Sequence, residues 1–234
     1  MSTYHSLQTS VTHRFRGNSL VNVNYTYSKA LGNAVSPQDT YDIAAEYGPV
    51  NTTETQILVG DFVYQLPLFL AQNGIAGHLL GGWEISGIVS AHSGNFLTAV
   101  PPTADPAGLG LLATGTVAKK RPDQIANPNR NAPHTLSKWF NTAAFARVPA
   151  GQYRPGNASN DSIIGPGSQE WDLSLFRNIK ISERAFLQLR AESYNTFNHT
   201  NFSAIAVNMQ DSNYGQAIGA GAVRNMQLAV KINF

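Results

Sequence analysis

Met226-Gln-Leu-Ala-Val-Lys-Ile-Asn-Phe234 alternates without a break. Met226, Leu228, Val230, Ile232 and Phe234 fall on one face of an extended strand. Gln227, Ala229, Lys231 and Asn233 fall on the other, because strand side chains alternate with period two. One face is apolar, the other polar, and the stretch stops on an aromatic residue. It suits the closing strand of an outer-membrane β-barrel, whose outer face meets lipid while its inner face meets water. It also suits the docked edge strand of a soluble sheet.

Working back from this stretch, six more segments alternate in the same way. They lie at about 4–15, 19–30, 55–66, 82–93, 171–181 and 184–197, and the terminal strand covers about 223–234. Each holds about 10–12 residues, longer than the usual five or six of soluble sheets. That length is close to the ~9–11 needed to cross a bilayer at a tilt. The fold expected is all-β: an antiparallel up-and-down meander of about seven long strands, forming part of a transmembrane barrel.

The connections alternate in length. Arg16-Gly17-Asn18 and Ser182-Glu183 are tight, and Pro67–Gly81 is intermediate. About 31–54, 94–170 and 198–223 are long. Transmembrane barrels have short periplasmic turns and long extracellular loops. With the terminal strand running inward, the tight turns all fall on the periplasmic side, and 94–170 becomes a large extracellular loop. Gly and Asn tolerate positive φ, so Arg16-Gly17-Asn18 fits a three-residue hairpin. An odd loop is also what keeps Arg14 and Asn22 on one face. Within the proline-rich large loop, Ser137–Phe145 has enough apolar side chains to fold back and pack.

Composition agrees with a two-faced sheet. Charged residues are 13 % of the 234, well under the roughly 25 % of a typical soluble domain. Apolar residues are 42 %, so neutral polar residues fill the deficit. A net charge of +2 offers no argument for a nucleic-acid partner. No cysteine is present, which removes disulfides and thiolate metal sites. No apolar run approaches the ~20 residues of a membrane helix. Met1-Ser-Thr-Tyr-His-Ser lacks the basic start and apolar core of a signal peptide. An envelope protein is therefore expected to carry its export signal upstream of this segment.

The alternation assigns side chains to faces. Arg14, Asn24, Asp61, Glu84, Asp172, Arg190, Glu192 and Lys231 are expected on the lumen face, where charge pairing among them explains the carboxylates better than catalysis does. Tyr25, Tyr27, Tyr64, Trp83, Trp171 and Phe234 lie near strand ends on the lipid face, as an aromatic girdle does. The six histidines form no HExxH or close pair, so no metal site is expected. Ser162 lacks a G-x-S-x-G elbow, and Gly215-Gln-Ala-Ile-Gly-Ala-Gly221 reads as a loop tip. No cofactor is implied, and the chain is not expected to be an enzyme. Trp139, Phe140, Phe145 and Tyr153 are loop aromatics suited to ligand contact or to packing.

Several stretches carry a resemblance. They are Tyr25-Thr-Tyr-Ser-Lys29, Leu80-Gly-Gly-Trp-Glu-Ile-Ser-Gly87, Trp139-Phe-Asn-Thr-Ala-Ala-Phe145, and Gly165-Pro-Gly167 before Asp172-Leu-Ser-Leu-Phe-Arg-Asn178. Leu187-Gln-Leu-Arg-Ala-Glu192 then leads into Tyr194-Asn-Thr-Phe-Asn-His-Thr-Asn-Phe202. In order and spacing they resemble the C-terminal part of Oar-like TonB-dependent transporters, a group abundant in soil acidobacteria, over nearly the whole chain. The resemblance implies a bacterial outer-membrane location and the last third of a larger barrel. It implies uptake of a large scarce solute: a glycan, peptide or metal chelate. Contact with the TonB complex would run only through upstream parts. It also implies that Leu228, Val230, Ile232 and Phe234 form the terminal signal read by the barrel assembly machinery. The alternatives are a soluble secreted lectin-like module and a passive outer-membrane pore or adhesin.

Overall fold

The computed structural model describes residues 1–15, 17–33, 37–39, 41–69, 71–102, 121–182 and 185–234. Seven long strands form one antiparallel sheet in chain order. They are β1 (Ser2–Arg14), β2 (Leu20–Asn33), β3 (Gln56–Gln65), β4 (Trp83–His92), β5 (Ser168–Lys180), β6 (Phe186–Tyr194) and β7 (Asn225–Asn233). A short strand, Tyr47–Pro49, pairs with the end of β2. Every neighbouring pair is antiparallel, so β1, β3, β5 and β7 run one way and β2, β4 and β6 the other.

The register carries the period-two pattern across the whole sheet. Val11 faces Val23, Val23 faces Gly60, Gly60 faces Val89, and Val89 faces Trp171. One residue along, Asn22 faces Asp61, Asp61 faces Ile88, and Ile88 faces Asp172. Directly opposed residues share a face, so one side is an apolar field and the other mixed and largely polar. Neither side is covered by a second layer among the described residues. Among the described residues, the buried large apolar side chains all lie outside the seven strands. On the apolar face Leu7, Val11, Tyr27, Leu175 and Val230 stand exposed, and Leu228 is 83 % exposed. A soluble sandwich buries such a face; a membrane wall turns it to lipid.

The connections sort by end. At the turn end, Phe15 N donates to Ser19 O at 2.9 Å and Gly17 takes φ +82°, which makes the three-residue hairpin. Arg16, part of that expected turn, lies outside the described residues. Ile181 N and Ser182 N both donate to Ala185 O, closing the β5–β6 turn; its Glu183 and Arg184 also lie outside the described residues. The third turn-end connection contains a helix the alternation gave no sign of, α1 (Gly74–Leu80).

Two expected boundaries shift. β6 stops at Tyr194, not Phe197, because Asn195 and Asn198 take φ +47° and +51°. Asn tolerates this region as a single residue, and it breaks an extended strand. Gly215–Gly221 is not a loop tip: Ala217–Ala220 pairs with Phe202–Ile205, its small residues fitting close backbone approach.

Candidate functional site

The loop end is a folded cap. The core of the molecule sits there: Phe140, Ile163, Phe145, Ala144, Ala99, Ala158 and Ile205 are buried together. Leu97, Trp139, Val207, Met209, Tyr214 and Ala217 pack against them. Phe140 meets Phe145 and Tyr214 edge-on, with ring centroids 6.2 and 5.4 Å apart. Edge-to-face pairs at such distances are the preferred aromatic geometry. The expected folding back of Ser137–Phe145 is thus realised, and it draws in residues from the 195–224 connection.

Short strand pairs frame this core: Phe96–Leu97 with Ile163–Ile164, and Asp123–Gln124 with Phe145–Ala146. The two ends of the large loop cross closely. A Cβ on Gly94 would fall 1.8 Å from Gly165 O, which restricts that position to glycine, and a Cβ on Gly165 would fall 2.9 Å from Asn95 O. Gly165-Pro-Gly167 owes its composition to this crossing.

The 31–54 connection joins the cap through a buried ion pair. Arg121 Nη1 donates to Glu46 Oε2 at 2.6 Å and Arg121 Nη2 to Glu46 Oε1 at 2.8 Å, with both side chains 1 % exposed. Glu46 Oε1 also accepts from the Gln38 and Asp39 amides. Gln38 Nε2 donates to Gly156 O at 2.8 Å, and its Oε1 accepts from Arg121 N at 2.7 Å. A second fork, Arg154 to both Asp123 oxygens at 2.7 Å, sits at the rim. These bonds from Arg154 hold the Asp123 carboxyl below its ordinary 3.8, outweighing the upward push of burial. Burial pushes the Tyr214 phenol upward; its hydroxyl is buried without a partner among the described residues.

Arg14, Asn24, Asp61, Glu84, Asp172, Arg190, Glu192 and Lys231 share one face by register. Tyr25, Tyr27, Tyr64, Trp83 and Trp171 share the other, and Phe234 follows β7 in the same alternation as Leu228, Val230 and Ile232. Tyr27 faces Gln56, eight residues before Tyr64 in β3. At about 3.3 Å per residue the two aromatic levels are roughly 26 Å apart along the strand, which the ~35–45° strand tilt of such barrels turns into roughly 20 Å of the ~25 Å height of their apolar band.

Charge pairing on the wall needs correction. No wall carboxylate pairs with a wall cation among the described residues. Asp61 accepts from Asn22 Nδ2 at 2.9 Å, Asp172 from the Asn195 amide at 2.9 Å, and Glu192 from Gln227 Nε2. Arg190 lies over the Phe176 ring at 4.9 Å. Register is the cause: the residues opposite Glu192 are Ser174 and Gln227, and those opposite Arg190 are Phe176 and Ala229.

Asn195 is a residue the sequence reading passed over. It is buried, its Nδ2 donates to His199 O and Ala222 O, and its Oδ1 accepts from His199 N. With its amide on Asp172 it ties the root of the last long connection to the wall. An Asn directly after an alternating strand was the available signal. Beside it, Trp171 and Phe197 meet edge-on at 5.7 Å and line an open depression of about 710 Å³ with Gln169, Asn198, His199 and Thr200.

Of the loop aromatics, Phe140 and Phe145 are closed in the core, Trp139 is partly covered, and Tyr153 is 85 % exposed. Tyr41, Ile125 and Leu136 are also open on these connections. The histidines stay apart: His134 rests on Trp139, His13 on Phe15, and His92 Nδ1 lies 3.1 Å from Glu54 Oε1.

A two-faced antiparallel wall with one uncovered apolar side, tight turns at one end and a packed cap at the other defines a β-barrel protein of the bacterial outer membrane. The family model described as outer membrane beta barrel domain matches residues 1–227, and the chain belongs to that family. No curated protein and no solved structure matches it.

Proposed function

We propose that this chain is the C-terminal wall and outer cap of a TonB-dependent transporter that takes up a large, scarce solute. The observation that carries this reading is the cap. All three long connections are welded by a common core and a buried ion pair, leaving Tyr41, Tyr153, Ile125 and Leu136 exposed for contact with a solute. Rigid aromatic side chains offer large contact area at small entropic cost. The ordered motifs from Tyr25-Thr-Tyr-Ser-Lys29 to Tyr194–Phe202 support the Oar-like assignment. The solute class is a glycan, peptide or metal chelate. TonB is reached only through parts outside this chain, and the assembly machinery reads Leu228, Val230, Ile232 and Phe234. The chain performs no catalysis in this reading.

The test is uptake by cells carrying the intact reading frame, with TonB functional or inactivated. Concentrative uptake that disappears without TonB supports the transporter. Flux that only equilibrates and ignores TonB replaces it with a passive pore.

A further inference from the structure

The connection between β3 and β4 differs from the other two at the turn end. Those carry Arg16, and Glu183 with Arg184. From Leu66 to Trp83 there is no Asp, Glu, Lys or Arg at all. A turn that meets only water has no reason to be so apolar, yet Leu68, Phe69, Ile75, Leu79 and Leu80 are all exposed, Ile75 at 82 %. Ile75 and Leu79 are four apart in α1 and so lie on one helix face.

The position of α1 is fixed from the apolar side of the wall. Arg177 opposes Trp83 and Leu189, which places it on the apolar face. Its guanidinium lies over the Trp83 ring at 5.2 Å and donates through Nη2 to His78 O. A cation there satisfies a carbonyl in the last turn of α1. Gln72 completes the attachment, donating to Asn178 O at 2.6 Å and accepting from Lys180 N at 3.0 Å. The apolar connection is therefore continuous with the lipid-facing field, just past the Tyr64 and Trp83 aromatic level.

We infer that the Leu66–Gly82 connection is an interfacial foot, with Leu68, Phe69, Ile75 and Leu79 seated in the acyl-chain boundary of the inner leaflet of the outer membrane. Short apolar-faced helices bind such boundaries through buried apolar area. The occupant is lipid because the exposed side chains extend a surface already turned to lipid and carry no charge to match a protein partner. The inference rests on the membrane placement of the wall.

The chain has no cysteine, so once any cysteine elsewhere in the intact protein is replaced by serine, single-cysteine variants report one site each. Ile75→Cys, Leu79→Cys and Leu68→Cys are nitroxide-labelled in the intact protein in outer-membrane vesicles, with Leu175→Cys as wall control and Tyr153→Cys as water control. Collision with oxygen and with a water-soluble nickel chelate is measured. The foot is expected to match Leu175, with chelate collision several-fold below that of Tyr153. Chelate access equal to Tyr153 overturns the foot. Low collision with both reagents overturns it in favour of a protein partner or second copy. If Leu175 itself reads as water, the membrane placement fails first. Leu68, outside α1, keeps the test decisive if labelling disturbs the helix.

Discussion

Val230 and Lys231 are adjacent in β7 and stand on opposite faces of the sheet. Val230 opposes Leu189 near the middle of the strand pair, and Lys231 opposes Gln188 on the polar face. Val230→Arg is expected to destabilise the membrane-inserted state by about 2–4 kcal/mol, the cost of arginine near the bilayer midplane. Lys231→Gln is expected within about 0.5 kcal/mol of the parent, as for other surface changes. Denaturant unfolding of the intact barrel in lipid vesicles measures both. Equal responses would remove the facing assigned here.

At the scale of elements, the cap and the wall are held by different forces. The cap has an apolar core, so Phe140→Ala, at a fully buried site, is expected to cost the cap about 3–5 kcal/mol. Hydrogen exchange of the 121–164 amides, with the β5 amides unchanged, is the measurement. Arg121→Met strands the buried Glu46 carboxylate and is expected to cost a similar ~3–5 kcal/mol, while the double change with Glu46→Leu recovers most of it. Limited proteolysis of the loops separates the two variants. Asp123 adds a pH dependence. Its folded pKa lies below the unfolded value, so its contribution is fully present above the ordinary carboxylate range. That contribution is lost as pH falls below about 4. Asp123→Asn is expected to flatten this acid limb of cap stability, read by the same exchange experiment. Flattening at neutral pH instead would contradict the assignment.

For the molecule as a whole, the two sheet edges decide what can complete it. β1 and β7 run in the same direction, and among the described residues each pairs on one side only. Bacterial single-chain barrels have even numbers of antiparallel strands, so the completing segment must supply an odd number, running opposite to both edges. A second copy cannot do this: copies related by an axis along the membrane normal keep their strand directions and would pair in parallel. The chain expressed alone is therefore expected to give no heat-modifiable band or detergent-resistant oligomer on gels. A resistant ring of copies would refute the edge argument.

Alternation and loop length, read from the residues alone, place the seven strands and the two faces of each. These follow from a period of two and from loop length, both local quantities, and a single misplaced residue would have inverted a strand. The Asn195 break and α1 escaped because each depends on one residue's conformation or on a partner strand, not on alternation. The cap, by contrast, is the product of long-range packing. Glu46 and Arg121 are 75 positions apart, and Gln38 and Gly156 are 118 apart. No local pattern announces such contacts; they exist because the wall brings the loop roots side by side. The same holds for the wall polar groups, whose composition suggested ion pairs while register supplied amide and aromatic partners. Met226–Phe234 specified its own two faces, but Leu189, Gln188 and Leu187 across the pair decided what each side chain stands against.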